Sequence, residues 1–217
     1  MRNAFAEELE KIAASDERVV LLSGDIGNRL FDTFKENFQE RFFNCGVAEA
    51  NMMGVAAGLA LEGYRPVVYT IAPFVTSRCL EQIRDDVCYH NLPVTIVAVG
   101  AGLSYASLGA THQSLEDLAM LRALPDLSIV CPADAWEVRA ALEPCITSNS
   151  PVYLRMGKKG EPEIHSSVPA FEVGKSIELR DGRDACILST GTTASLALAA
   201  ADKLERIGIT VRVENIH

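Results

Sequence analysis

The feature that narrows the fold most is a rhythm of short apolar runs separated by helical segments. Val94 to Val99 (VTIVAV) is apolar on both faces apart from one threonine. Such a run suits a central strand covered by helices on both sides. Arg18–Leu22 (RVVLL), Pro66–Tyr69 (PVVY), Ser128–Cys131 (SIVC) and Val152–Arg155 (VYLR) read as further strands. Between them, residues 3–14, 46–61, 77–90, 114–123 and about 132–148 read as helices, several with apolar positions at helical spacing. Strands separated by helices join through right-handed crossovers, which predicts an α/β domain with a parallel sheet and helices on both faces. The helix over 46–61 (GVAEANMMGVAAGLAL) carries few polar side chains, so it is expected to be well buried.

Residues 156–174 break this rhythm with Gly, Pro, Ser and charges, and read as a linker. They divide the chain into a first domain, 1–155, and a second unit, 175–217. The second unit has a strand at Asp184–Ser189, a helix at Thr192–Arg206 and a strand at Ile209–Glu214. One βαβ unit cannot bury both faces of its sheet, so the expectation is a second domain of which only the beginning is present.

Composition excludes several classes. With 48% hydrophobic and 23% charged residues over 217 positions, the chain is neither disordered nor fibrous. No apolar run reaches the roughly 18 residues of a membrane span. A nucleic-acid partner needs a basic surface, and none is visible in a chain of net charge -9. Anionic small substrates remain open, because they need only local cations. The six cysteines, Cys45, Cys79, Cys88, Cys131, Cys145 and Cys186, form neither a CxxC pair nor a Cys/His cluster. They read as buried small hydrophobes in a reducing compartment, hence a cytoplasmic protein with no metal site of its own.

Chemistry-bearing residues cluster after the strands. Glu49 lies in the first turn of the most apolar helix. The helix N-terminus favours its anion and burial favours its neutral form, so it is placed to trade a proton with a bound ring nitrogen. The plainer reading is an acid that only caps the helix. His112 lies in the loop GLSYASLGATHQSLEDL, after a buried strand, where open α/β sheets bind ligands. A loop histidine bonded to backbone is the alternative. Asp25 and Gly27, in LLSGDIGN, follow the first strand, where a simple turn also accounts for them. Phe74 can stack on a planar ligand or serve the core. Arg155, Lys158 and Lys159 (LRMGKKG) can hold an anion or form a solvated basic turn.

These pieces occur together in one order: SGDIG, GVAEANMMGVAAGLALEG, Phe74, CLEQIRDDVCYHNLPVTIVAVGAG and GATHQSLEDLAMLRALPDLSIVCPAD. The chain resembles the pyrimidine-binding domain of transketolase-like, thiamine-diphosphate-dependent enzymes over 1–155. CILSTGTTASLALAAADKLERIGITVRV resembles the start of the transketolase C-terminal domain. The resemblance implies that Glu49 is the glutamate that hydrogen-bonds N1′ of the aminopyrimidine and promotes loss of the thiazolium C2 proton. It implies that Phe74 stacks on the pyrimidine and that Ile26, with Asp25 beside it, supports the bend of the cofactor. His112 falls at the sugar hydroxyls. Arg2 and Lys158 fall at the substrate phosphate, with Arg155 assisting.

Departures from the family pattern at Gly100, Leu108, Arg29, Ile71 and Ser77 fall among residues around the donor sugar and the stacking cluster. No GDG…N segment is present, so the diphosphate, with its Mg2+ or Ca2+, is implied to sit on a second polypeptide. The resemblance thus points to the pyrimidine-binding subunit of a split transketolase. It implies a homodimer through this domain and transfer of a two-carbon ketol unit between sugar phosphates. Two other readings stand beside it. One is a decarboxylating subunit, like a 2-oxoacid dehydrogenase beta chain or deoxyxylulose phosphate synthase. The other is a non-catalytic interaction subunit. A buried, unliganded Glu49 would weigh against the last, because it costs stability.

Overall fold

A computed structural model describes residues 1–217. The chain begins with α1 (Arg2–Ser15), β1 (Val19–Ser23), α2 (Asp32–Asn37), β2 (Phe42–Asn44) and α3 (Glu49–Leu61). β3 (Arg65–Ile71), α4 (Ala72–Val75), α5 (Leu80–Gln82), β4 (Thr95–Val99), α6 (Asp117–Leu121), β5 (Ser128–Val130), α7 (Ala135–Thr147) and β6 (Val152–Met156) follow. The last elements are β7 (Ile177–Arg180), β8 (Ala185–Ser189), α8 (Ala194–Glu205) and β9 (Val211–Asn215).

Six parallel strands lie in the order β2-β1-β3-β4-β6-β5. Alternate side chains point to opposite faces, so each strand feeds two cores. Val19, Leu21, Val67, Tyr69 and Val97 meet Phe5 and Leu9 of α1 and Val138 and Leu142 of α7. Val20, Leu22, Val68 and Ile96 meet Met52, Met53 and Ala56 of α3, together with Ile83 and Val87. β1 and β4 are buried at every position, as their apolar sequences require. This two-sided packing makes the carboxyl ends of the strands a fixed platform.

Several expectations are corrected. The segment over 77–90 is not one α-helix: a 3₁₀ turn at Ser77–Cys79, the short α5 and a π-helical stretch at Ile83–Cys88 replace it. Side-chain donors explain the irregular start. Thr76, Ser77 and Cys79 bond the carbonyls of Ala72, Pro73 and Phe74, competing with the backbone ladder. α3 is buried on one side only. Met52, Met53, Ala56 and Ala60 face the core, while Val55 and Leu61 face outward at 42% and 66% exposure. Four cysteines are buried, but Cys186 is exposed and Cys45 half-buried.

The stretch over 156–174 is docked rather than loose. The backbone N–H groups of Ile164 and His165 donate to Asp134, the N-cap of α7, each at 2.8 Å. His165 Nε2 lies 2.9 Å from the buried Glu137, which also accepts from Asn215 at 2.7 Å. Beyond it, β8 and β9 pair in parallel, and β7 adds antiparallel to β9, a strand the sequence pattern did not single out. α8 covers one face of this small sheet through Ala197 and Ala201. On β8, Leu188 stays 68% exposed.

Candidate active site

Because the six strands are parallel, β1, β3, β4 and β6 all end at one edge. The segments that leave this edge carry Ile26, Phe74 (in α4), His112 and Lys158. The chain places β2 on one side of β1 and β3 on the other, the kind of switch point at which open α/β sheets bind ligands.

Glu49 is the first residue of α3 and only 1% exposed. Its Oε2 accepts from Arg78 Nη1 at 2.5 Å. Its Oε1 has one polar partner, Thr70 Oγ1 at 3.5 Å, longer than an ordinary hydrogen bond. A carboxylate offers about four acceptor sites, so Oε1 has hydrogen-bonding capacity that Thr70 leaves unused. Gly24 lets the end of β1 pack closely on these two side chains: a Cβ there would lie 3.0 Å from Thr70 Oγ1 and 3.3 Å from Glu49 Cγ. The ion pair removes one expectation. Glu49 is not an unpartnered buried carboxylate, so its burial alone gives no argument against a non-catalytic subunit.

The Arg78 guanidinium also lies over the Phe74 ring, 4.4 Å from its centroid. Phe74 is half-buried and meets the His112 ring edge-on at 5.0 Å. His112 Nδ1 lies 2.9 Å from the Thr111 hydroxyl, and its ring approaches Tyr105 at 6.0 Å. Lys158 Nζ sits 4.5 Å from the centre of Tyr105. A continuous line therefore runs Glu49, Arg78, Phe74, His112, Tyr105, Lys158. Nearby, burial pushes the Cys79 thiol up to about 12, with the Glu49 charge adding to it, so Cys79 is no nucleophile.

Gly100 explains one departure in the sequence. Its φ is +87°, and any Cβ there would run into the Tyr105 ring. Tyr105 fills the space beside Gly100.

Arg2 and Lys158 share an open cavity of about 570 Å3 with Arg29, Arg139 and Lys159. Arg2 Nε also donates to Tyr69 Oη at 3.2 Å, which fixes the stem of the side chain. Arg155 is not in this cavity. Its Nε and Nη2 grip the fully buried Asp117 at 2.7 and 3.1 Å, and Nη2 donates to the Ser114 carbonyl at 3.1 Å. Tyr153 donates to the same carboxylate at 2.8 Å. Arg155 thus ties the His112 loop to β6.

Asp25 is exposed, with φ +58°, and accepts from Asn44 at 2.9 Å, joining the ends of β1 and β2. Ser23 Oγ donates to the Ile26 carbonyl at 2.7 Å, setting the turn that leaves the Ile26 side chain half-buried at the edge. Arg78, Tyr105 and Asp117 were not singled out by the sequence. Arg78 has no local signal, because its partner lies 29 positions away.

Comparison with known proteins agrees with this layout. The family described as "Transketolase, pyrimidine binding domain" matches residues 1–161, and "Transketolase, C-terminal domain" matches 174–217. A "Putative transketolase C-terminal section" of Methanocaldococcus jannaschii is 36% identical over 98% of this chain and 68% of its own length. One of the subunits of an apulose-4-phosphate transketolase from Phocaeicola vulgatus is 35% identical over 98% of this chain and 69% of its own. A 1-deoxy-D-xylulose-5-phosphate synthase of Geobacter metallireducens is 37% identical over 97% of this chain, but only 34% of its own length. Among solved structures, a split-gene transketolase described as an inactive beta4 tetramer superposes with a TM-score of 0.90 at 39% identity, covering 99% of this chain and 70% of that one. With the parallel sheet, the buried glutamate and both domain matches in agreement, the chain belongs to the transketolase family of thiamine-diphosphate-dependent enzymes, as a subunit of the split kind.

Proposed function

We propose that this chain is the pyrimidine-binding subunit of a split transketolase that moves a two-carbon ketol unit between sugar phosphates. The observation that carries the reading is Glu49: a carboxylate 1% exposed, at a helix N-terminus, with one oxygen held by Arg78, the other 3.5 Å from Thr70 Oγ1, and the Phe74 ring beside that arginine. These residues fit the aminopyrimidine end of thiamine diphosphate. When bound, that cofactor supplies the electron sink for breaking the bond beside a ketose carbonyl.

The chain's own residues divide the remaining work. Glu49 holds a proton at N1′. Phe74 offers its face to the ring, and Ile26, with Asp25 beside it, supplies the wall at the bend. His112 contacts sugar hydroxyls. Arg2 and Lys158 hold the terminal phosphate, with Arg29 as a further cation in the same cavity. Arg155 positions the His112 loop through Ser114 and Asp117 rather than meeting the phosphate itself.

The diphosphate and its Mg2+ or Ca2+ belong, on this reading, to a partner chain carrying the diphosphate-binding domain. The outward apolar side of α3, with Val55 and Leu61, supports a homodimer through this domain. The inactive beta4 assembly of the structural relative supports the need for a partner. No helix is long and apolar enough to cross a membrane, and the six cysteines are unpaired, which supports a cytoplasmic setting.

The test is reconstitution. Purified chain with thiamine diphosphate, Mg2+ and a ketose phosphate should show no turnover. Adding the partner should bring ketol transfer to an aldose. Turnover by the chain alone would count against a shared site. The relatives that are deoxyxylulose phosphate synthases make decarboxylation the second reading. Release of CO2 from pyruvate by the complex, without ketol transfer, would select it.

A further inference from the structure

Glu49 and Phe74 are joined by a third group that the family resemblance did not bring forward. The guanidinium of Arg78 donates to Glu49 Oε2 at 2.5 Å and lies 4.4 Å from the centre of the Phe74 ring. A guanidinium is flat, presents N–H donors along its edge and stacks on aromatic faces. An aminopyrimidine held by Glu49 and Phe74 makes the same two demands: a donor edge toward the carboxylate and a planar face on the ring. Both cannot be met at once in the same place.

We infer that Arg78 is a placeholder for the pyrimidine ring, filling the space between Glu49 and Phe74 until the cofactor displaces it. The inference rests on the assignment of Glu49 and Phe74 to the pyrimidine.

The asymmetry of burial decides which partner moves. Glu49 is 1% exposed and fixed on the first turn of α3, whereas the Arg78 side chain is 44% exposed on an irregular turn. Arg78 lines an open cleft of about 370 Å3 together with Phe74, Thr111 and Glu116. The side chain therefore has a route out, and Glu116 offers it a second carboxylate there. Before cofactor binds, the pair spares Glu49 the cost of burial without a partner. Once it binds, that role passes to the cofactor, so Arg78 acts as a positioning residue that sets how readily cofactor enters.

The test compares Arg78→Ala and Arg78→Lys in the reconstituted complex. Thiamine diphosphate binding is read by calorimetric titration, and the melting temperature is read with and without cofactor. For Arg78→Ala the expected result is a lower melting temperature without cofactor and a Kd about tenfold tighter, the order of effect of one partly exposed charge-assisted bond. Arg78→Lys, which keeps a donor for Glu49, should stay near the parent Kd. If the alanine variant is too unstable to titrate, Arg78→Gln should shift Kd in the same direction. A weaker Kd in Arg78→Ala would overturn the inference by showing that Arg78 holds bound cofactor. An unchanged Kd would overturn it by showing that guanidinium and ring occupy different space. Phe74→Ala separates the two claims: an unchanged Kd there would remove the pyrimidine site itself, whatever Arg78 does.

Discussion

The two ends of the line from Glu49 to Lys158 are built in opposite ways. At one end a single carboxylate is sunk to 1% exposure, and a guanidinium holds one of its oxygens. At the other, Arg2, Arg29 and Lys158 stand around an open cavity of about 570 Å3, where water screens them. A buried charge in fixed company suits a proton held at one atom, where small displacements change the chemistry. Cations at the rim of an open cavity, Arg2 and Lys158 half-buried and Arg29 exposed, suit the capture of an anion, where each contributes modestly and substitutions shift affinity by degrees. Substitutions at the buried end should therefore act on turnover, and substitutions at the open end on KM.

The largest effect expected is that of Glu49→Gln. An amide cannot take up the proton role, so kcat of the complex should fall by roughly a thousandfold or more, while circular dichroism stays native. Unchanged kcat would remove the distinction between the ends. His112 lies between them, and His112→Ala should lower kcat/KM for the ketose by about 10–100-fold with the Kd of thiamine diphosphate unchanged. A loss confined to cofactor affinity would move His112 to the cofactor end. Lys158→Ala should raise KM for a phosphorylated sugar by about tenfold at an unchanged kcat, and less so at high salt. An equal effect on an unphosphorylated sugar would show that Lys158 does not meet the phosphate. A control lies outside the line. Asp117→Ala leaves the mostly buried Arg155 guanidinium without a carboxylate, held only by the Ser114 carbonyl, and the Tyr153 hydroxyl without its acceptor, which should cost about 3–5 kcal/mol in urea unfolding.

What the sequence made legible follows the range of the forces involved. The central strands and α3 are legible as apolar runs, and α1, α7 and α8 as segments with apolar residues at helical spacing, although the mostly apolar sequence of α3 hid which side it buries. The placement of Phe74, His112 and Lys158 at one edge follows from parallel strands alone. β2 escaped notice because three residues, Phe42–Asn44, are too few to show alternation. β7 escaped because it reverses the parallel rule by pairing antiparallel with β9. The helix expected over 77–90 lost its regular start to side-chain donors at Thr76, Ser77 and Cys79, which periodicity does not weigh. The engagement of Arg155 by Asp117, 38 positions apart, and of Arg78 by Glu49 are tertiary facts with no local trace. An exposed arginine and one already spent on a buried acid look alike in sequence.

The most direct measurement is the rate at which the C2 proton of thiamine diphosphate exchanges for deuterium on the reconstituted complex, followed by NMR in the parent and in Glu49→Gln. Fast exchange in the parent and exchange slowed to near the free-cofactor rate in the variant is the outcome expected if this acid activates the vitamin. Equal rates in both would contradict it.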